Sequence, residues 1–413
     1  MATRRDVLTR TAGALGGAVL VGLPPIEQSP TPGAAPAPPP PNPVDSTKAP
    51  GAPTSAVGTR APAVTPVRTP VGAIAGSSLT PLQSLTGTIT PADLHFERHH
   101  GGVPALDAAT HELLIHGLVD RTLAFSMDDL KRFPQVTRTY FIECSGNSGG
   151  AFRRPRPDMT PQLIAGLTSN TEWTGVTVRA LLNEVGVRRD AKWMLAEGAD
   201  AAVLTRSVPI EKVMDDALIA WAQNGEPLRP AQGYPIRLLL PGWEGNASVK
   251  WLRRLELGTR PWMTREETSK YTDPLADGTA RQFSFVMDAK SIITSPVFPD
   301  RITRGWRPIT GLAWTGRGRI TRVEVSTDGG AQWHDATLPT PSTPLAHVRF
   351  QHMWEWTGEE TILLSRATDE TGYVQPGRAA LIKARGEGTS YHGNPIYGWK
   401  VASDGSVTFH GET

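Results

Sequence analysis

Cys144 is the only cysteine in the 413-residue chain. It lies in Phe-Ile-Glu-Cys-Ser-Gly-Asn-Ser-Gly-Gly, residues 141–150. A thiolate is a soft donor for a redox transition metal and also a nucleophile. A thiol on a glycine-bearing loop after a strand is placed for either role. On this window alone, a buried cysteine acting as a small apolar residue is the other reading. A lone cysteine excludes an internal disulfide, a zinc ribbon, a cysteine-ligated iron–sulfur cluster and a C-x-x-C-H haem attachment.

Charged groups narrow the chemistry further. Lys+Arg number 42 and Asp+Glu 40, without the basic excess of a nucleic-acid protein. Of the basic residues, 33 are Arg and 9 Lys. Guanidinium forks suit oxyanions and phosphates. GC-rich coding produces the same bias, so only arginines inside motifs are informative.

The elements that must hold the thiol are legible on either side of it. TRTYFIECSGN predicts a buried strand running into a loop, with 145–150 as backbone able to approach a ligand closely. Upstream, residues 113–118 predict a strand, and 126–134 a short helix capped by Ser126. Downstream, WTGVTVRALLNEVG (173–186) predicts a turn, then an amphipathic helix ending at Gly186. Residues 234–257 predict a buried strand, a glycine loop and a second strand. This mixture is α+β without a regular βαβ repeat. After about residue 285 the pattern becomes that of a small β-sandwich, with a tight turn at Asp328-Gly329-Gly330 and no long helix.

Arg4 and Arg5 precede a weakly apolar run too short and Gly-rich for a stable membrane span, which fits a twin-arginine export signal. Residues 24–70 hold 15 of the 37 prolines and predict a solvated tether. The expected division is a signal peptide over 1–26, a tether over 27–80, a catalytic domain over 81–284, a sandwich over 285–400 and a tail over 401–413. The expected location is the periplasm.

Taken in order, these windows resemble the sulfite oxidase family of molybdenum enzymes over most of residues 94–400. Phe96, Arg98 and His100, followed by Pro104, look like its pterin-binding segment. Glu143 to Asn147 looks like its cysteine loop. W-x-G-V, G-Y-P-I-R-L (233–238), P-G-x-x-G (241–245) and V-K-W-L (249–252) follow in the family's order. The sandwich looks like its Ig-like dimerisation domain. Within the family, the cysteine loop and residues 240–296 are most similar to the molybdenum subunit of the sulfane dehydrogenase in periplasmic thiosulfate-oxidising (Sox) systems.

The resemblance implies one molybdenum–molybdopterin per chain, with Cys144 as the protein's metal ligand. It implies pterin and phosphate contacts at Phe96, Arg98, His100, Asp200, Ser207, Arg237 and Lys250. Arg98, Tyr271 and Arg385 would then face substrate, Tyr271 moving protons and Arg385 completing an anion pocket. Ser148 and Gly149 depart from the pattern, standing where animal sulfite oxidases carry two arginines. Leu163 stands for a pocket tryptophan, and Gln232 and Ser248 for histidines. Fewer fixed cations and less bulk suit a substrate larger than sulfite, such as a sulfur chain on a partner protein's cysteine.

The implied reaction is oxygen-atom transfer to a sulfane sulfur or sulfite. The implied partners are a c-type cytochrome subunit, in a heterotetramer around a homodimeric core, and a sulfur-carrier protein as donor. Nucleic acid is not an expected partner, and the mature chain is expected to carry no membrane span. A free-sulfite dehydrogenase, or a nitrate- or sulfoxide-reducing relative, is the alternative within the fold. A metal-free periplasmic interaction protein is the alternative outside it.

Overall fold

The computed structural model describes residues 50–275, 277–386 and 391–411. The expected export signal and the tether up to residue 49 lie outside them. The chain divides into Met1–Ala61 and Pro62–Thr413. In the first unit, residues 50–61 are exposed and carry neither helix nor strand.

The second unit acquires order earlier than its proline content implies. Thr69–Val71 pairs antiparallel with Ser77–Leu79, which pairs with Glu97–Arg98. The tether expected through residue 80 therefore ends before residue 69. Pro70 is tolerated because its strand is an outer one. Ser78 and Leu79 are buried.

The α+β part contains two five-stranded sheets. In one, Thr168–Thr177 lies between Gln135–Glu143 and Leu218–Gln223. Trp173–Thr177, expected as a turn, is the end of this strand, because Gln135–Glu143 partners it through Val176 and Leu218 pairs with Thr177. In the other, Leu252–Gly258 runs parallel to Glu112–Gly117 and antiparallel to Trp193–Gly198. Helix Val178–Val185 buries Val178, Leu181, Leu182 and Val185, spaced along one helical face. Thr177 caps its start by accepting the Ala180 N–H, and Gly186 ends it at φ 73°. Ser126 and Asp129 form a reciprocal capping box on helix Met127–Lys131.

The C-terminal part is a β-sandwich. Lys290–Ser295, Gly305–Trp314 and Val348–Trp356 make one sheet. His334–Asp335, Ile320–Ser326, Thr361–Asp369, Gly398–Val401 and Val407–His410 make the other. One expectation is corrected here: residues 401–411 are no tail, since Val401, Val407 and Phe409 are buried in the last two strands. Helix Arg378–Arg385 also enters the sandwich sequence; it buries only Leu381, too little to show as an amphipathic stripe. The interior is continuous with the first domain: Leu82, Phe141 and Ile164 join one cluster with Ile292, Trp314 and Trp399. Among the described residues no helix is long and apolar enough to cross a membrane.

Candidate active site

The Gln135–Glu143 strand delivers the cysteine loop, and Asn147 staples it from inside. Asn147 Nδ2 donates to Glu143 Oε1 at 2.9 Å and to Ala165 O at 3.0 Å, while Oδ1 accepts the Leu167 N–H at 3.1 Å. The Cys144 N–H donates to Leu167 O at 2.9 Å. Ser148, at φ 69°, then opens the short helix Gly149–Arg153, where a continuing loop was expected. The sandwich side grips the same loop. Lys290 Nζ lies 2.5 Å from Glu143 Oε1, and Trp314 Nε1 donates to Glu143 Oε2 at 2.7 Å, all within the interior. The His392 N–H donates to Ser145 O at 2.8 Å, and Tyr397 Oη to Ser148 O at 3.2 Å.

Cys144 opens onto a partly open cavity. Phe96, Arg98, His100, Asp200, Arg237, Lys250 and Tyr271 line the same cavity. Burial pushes the thiol pKa up, partly offset by a backbone hydrogen bond from Gly146, so a metal would have to displace a proton there.

Among the described residues, none of the lining cations Arg98, Arg237 and Lys250 is paired with a carboxylate. Arg237 is 3% exposed; Nη1 donates to Gln232 O at 3.1 Å and Nη2 to Ser248 O at 2.9 Å. Burial lowers its pKa to about 9. Lys250 Nζ donates to His99 Nδ1 at 2.8 Å and Ala231 O at 2.9 Å, leaving one N–H to spare. Burial holds its pKa well below the usual lysine range. Buried cations without an acid are costly unless a ligand supplies the anion.

Three buried polar atoms on lining residues also lack partners: His95 Nε2, Arg237 Nε and Asn246 Oδ1. Among the described residues, no group of three or more His, Cys, Asp and Glu converges into a metal cage. A metal at Cys144 must therefore bring most of its donors with it. A phosphate-bearing pterin that carries its own sulfur ligands fits this set of residues: a thiol, spare cations and orphaned ring and amide atoms.

Tyr271 Oη and His100 Nε2 are 2.7 Å apart. Burial and Arg98 lower the His100 pKa to about 4, so the imidazole is neutral at pH 7. Burial raises the Tyr271 hydroxyl above the ordinary phenol range, so it keeps its proton. Arg206 lies beneath the Tyr271 ring at 5.1 Å and pairs with Glu244 and Glu267, each at 2.9 Å.

Two expected site residues lie elsewhere. Ser207 does not line the cavity; its Oγ accepts the Trp262 N–H at 2.9 Å and donates to Trp262 O at 3.0 Å, tying down a loop. Arg385 is held on its helix by Asp288 at 2.9 Å and Asp273 at 3.6 Å, so its charge is already matched. Leu163 packs against the sandwich core. The lining also includes residues that were not among the expected site residues: His95, Glu97, His99, Asn246 and Trp251. Gln232 and Ser248, read only as departures, line it too, and Gln232 Nε2 donates to Phe96 O at 2.9 Å. The double histidine 99–100 beside Arg98 was the one available sequence signal for His99.

Residues 100–265 match the oxidoreductase molybdopterin binding domain, and residues 281–397 the Mo-co oxidoreductase dimerisation domain. Fold and cavity together thus define a molybdopterin-dependent oxidoreductase. Sulfite oxidase from Gallus gallus is 30% identical over 318 residues, covering 71% of this chain and 69% of that protein. A nitrate reductase (NADH) from Ulva prolifera is 32% identical over 333 residues, covering 70% of this chain but only 38% of the reductase. The crystal structure of the sulfane dehydrogenase SoxCD from Paracoccus pantotrophus superposes with a TM-score of 0.80 at 47% identity, covering 83% of this chain and 90% of that one. The chain belongs to the sulfite oxidase family.

Proposed function

We propose that the chain is the molybdenum-bearing subunit of a sulfane dehydrogenase that oxidises sulfur bound to a carrier protein's cysteine. The observation that carries this reading is the one cysteine facing spare cations in a single cavity, in a chain 47% identical to a SoxCD chain. When bound, the molybdenum–pterin group supplies two-electron oxygen-atom chemistry through a metal ligated by Cys144. Arg237 and Lys250 hold its phosphate. Arg98 faces the substrate side, where its charge attracts an anionic sulfur group and stabilises the oxyanion that forms. Tyr271 keeps its proton for the substrate oxygen, and neutral, half-buried His100 is hydrogen-bonded to that hydroxyl and can relay its proton.

Electrons leave to a c-type cytochrome subunit, and two chains pair through their sandwiches in a heterotetramer. Arg4 and Arg5 support twin-arginine export to the periplasm after folding. The test is steady-state cytochrome reduction by the purified complex with carrier-bound sulfane sulfur or free sulfite as reductant, and, in a separate assay, nitrate-dependent oxidation of the reduced cytochrome. Turnover on the carrier-bound sulfur well above that on sulfite is expected. Equal or faster turnover of free sulfite, or nitrate reduction, would overturn the assignment.

A further inference from the structure

The hairpin formed by Thr69–Val71 and Ser77–Leu79 carries no assigned role, yet it lies directly on the cofactor-site residues. Its inner strand pairs with Glu97–Arg98, Ser77 opposite Arg98 and Ser78 opposite Glu97. Both ends are drawn to one side chain: Gln162 Nε2 donates to Val67 O at 3.0 Å and to Leu79 O at 2.8 Å. Gly76 closes the hairpin loop, where a Cβ would meet Ala73 O at 2.7 Å and Val71 O at 2.8 Å. The carbonyl of Gly76 accepts the His99 N–H at 2.8 Å and Arg98 Nη1 at 3.3 Å.

From the same hairpin a directed chain of hydrogen bonds reaches the far cation. Lys250 Nζ donates to His99 Nδ1 at 2.8 Å, which places the ring proton on Nε2. That Nε2–H donates to Glu97 Oε2 at 2.8 Å, and Glu97 Oε1 pairs with Arg68 Nη2 at 3.2 Å. Arg68 Nη1 donates to His95 O at 3.1 Å. Moving the ring proton to Nδ1 would set it against the Lys250 donor and leave His99 Nε2 and Glu97 facing as two acceptors, so one arrangement is specified.

We propose that residues 67–79 are a clasp that positions the cofactor-binding cations: Arg98 through the Gly76 carbonyl, and Lys250 through Arg68, Glu97 and His99. Arg68 and Glu97 are thus positioning residues, acting on the bound pterin through groups that touch it. The inference rests on the molybdopterin reading of the cavity. Outer-shell partners of this kind change ligand affinity by roughly 10–100-fold when removed.

The test uses full-length holoenzyme from a molybdopterin-competent host. Pterin and molybdenum per chain are followed over time after transfer to cofactor-free buffer. Arg68→Met and Glu97→Gln are expected to lose both about 10-fold faster than wild type, with unchanged circular dichroism, and Arg68→Lys to recover most of the retention. Loss at the wild-type rate in both variants overturns the clasp. So does loss of folded structure in both, which makes the hairpin merely structural. A wild-type chain that binds no pterin at all sinks the cofactor reading itself, a separate and recognisable outcome.

Discussion

Cys144 concentrates the chemistry, and its loop is held by groups other than the thiol. Cys144→Ser should therefore leave the melting temperature nearly unchanged, since the side chain faces the cavity and a serine Oγ can still accept the Gly146 N–H. Molybdenum content and turnover should fall by at least about 100-fold, because even outer-shell changes cost that much. Elemental analysis beside a thermal melt checks both halves. Tyr271→Phe keeps the ring above Arg206 but removes the hydroxyl that meets His100. We expect kcat to drop about 100-fold, the scale of a lost proton-transfer group, with cofactor content intact. At this scale Phe96, Arg98, His100, Arg237, Lys250 and Tyr271, expected from the sequence to share a site, line one cavity with Cys144. Ser207 and Arg385 do not line it, and their polar groups are engaged by Trp262 and by Asp288 and Asp273. Spacing along a chain does not reveal which side chains already have partners.

Among the elements, the seam between the cysteine loop and the sandwich carries a fully buried ion pair. Lys290→Met leaves the Glu143 carboxylate buried and facing only neutral donors. It should cost about 3–5 kcal/mol in denaturant unfolding, and Glu143→Gln with Lys290→Met should restore much of it. A second seam contact titrates. His347 Nε2 lies 3.0 Å from Thr168 Oγ1, which itself donates to Ile142 O at 3.1 Å, so the histidine is the donor and is neutral. Burial lowers its pKa from 6.5 to about 3. Below pH 6.5 the unfolded chain binds this proton more readily than the folded one. The stabilisation is fully present above 6.5 and is lost as pH falls through about 3. Melting temperature should fall with acidification over that window, and His347→Gln should flatten the slope. Element types were legible where periodicity was long, as in Val178–Val185. Short elements were not: the hairpin at 69–79 and the strands at 398–410 owe their order to partners remote in sequence.

For the whole molecule, the matched dimerisation domain leaves large apolar side chains in solvent. Trp306 is 67% exposed and Met353 48%, on paired strands of the three-stranded sheet. Opposed residues share a face, so Trp306, Pro308 and Met353 form one outward patch. Sedimentation of the full chain should give a dimer. Trp306→Glu should shift it toward monomer without changing the fold, and an unchanged mass would remove this sheet from the contact. The two-part architecture was visible in the sequence as a change of pattern near residue 285. The continuous interior across that boundary was not, because Leu82, Phe141 and Ile164 look like ordinary core residues of the first part alone.

The grip of His392 and Tyr397 on Ser145 and Ser148 bears on the order of events during synthesis. A ribosome releases Cys144 long before it makes the residues that set that thiol's final place. While the chain is nascent, the loop has only its near neighbours Asn147 and Leu167 to hold it, and a metal centre assembled then would sit on a half-fixed ligand. Loading is therefore expected to follow completion of the polypeptide.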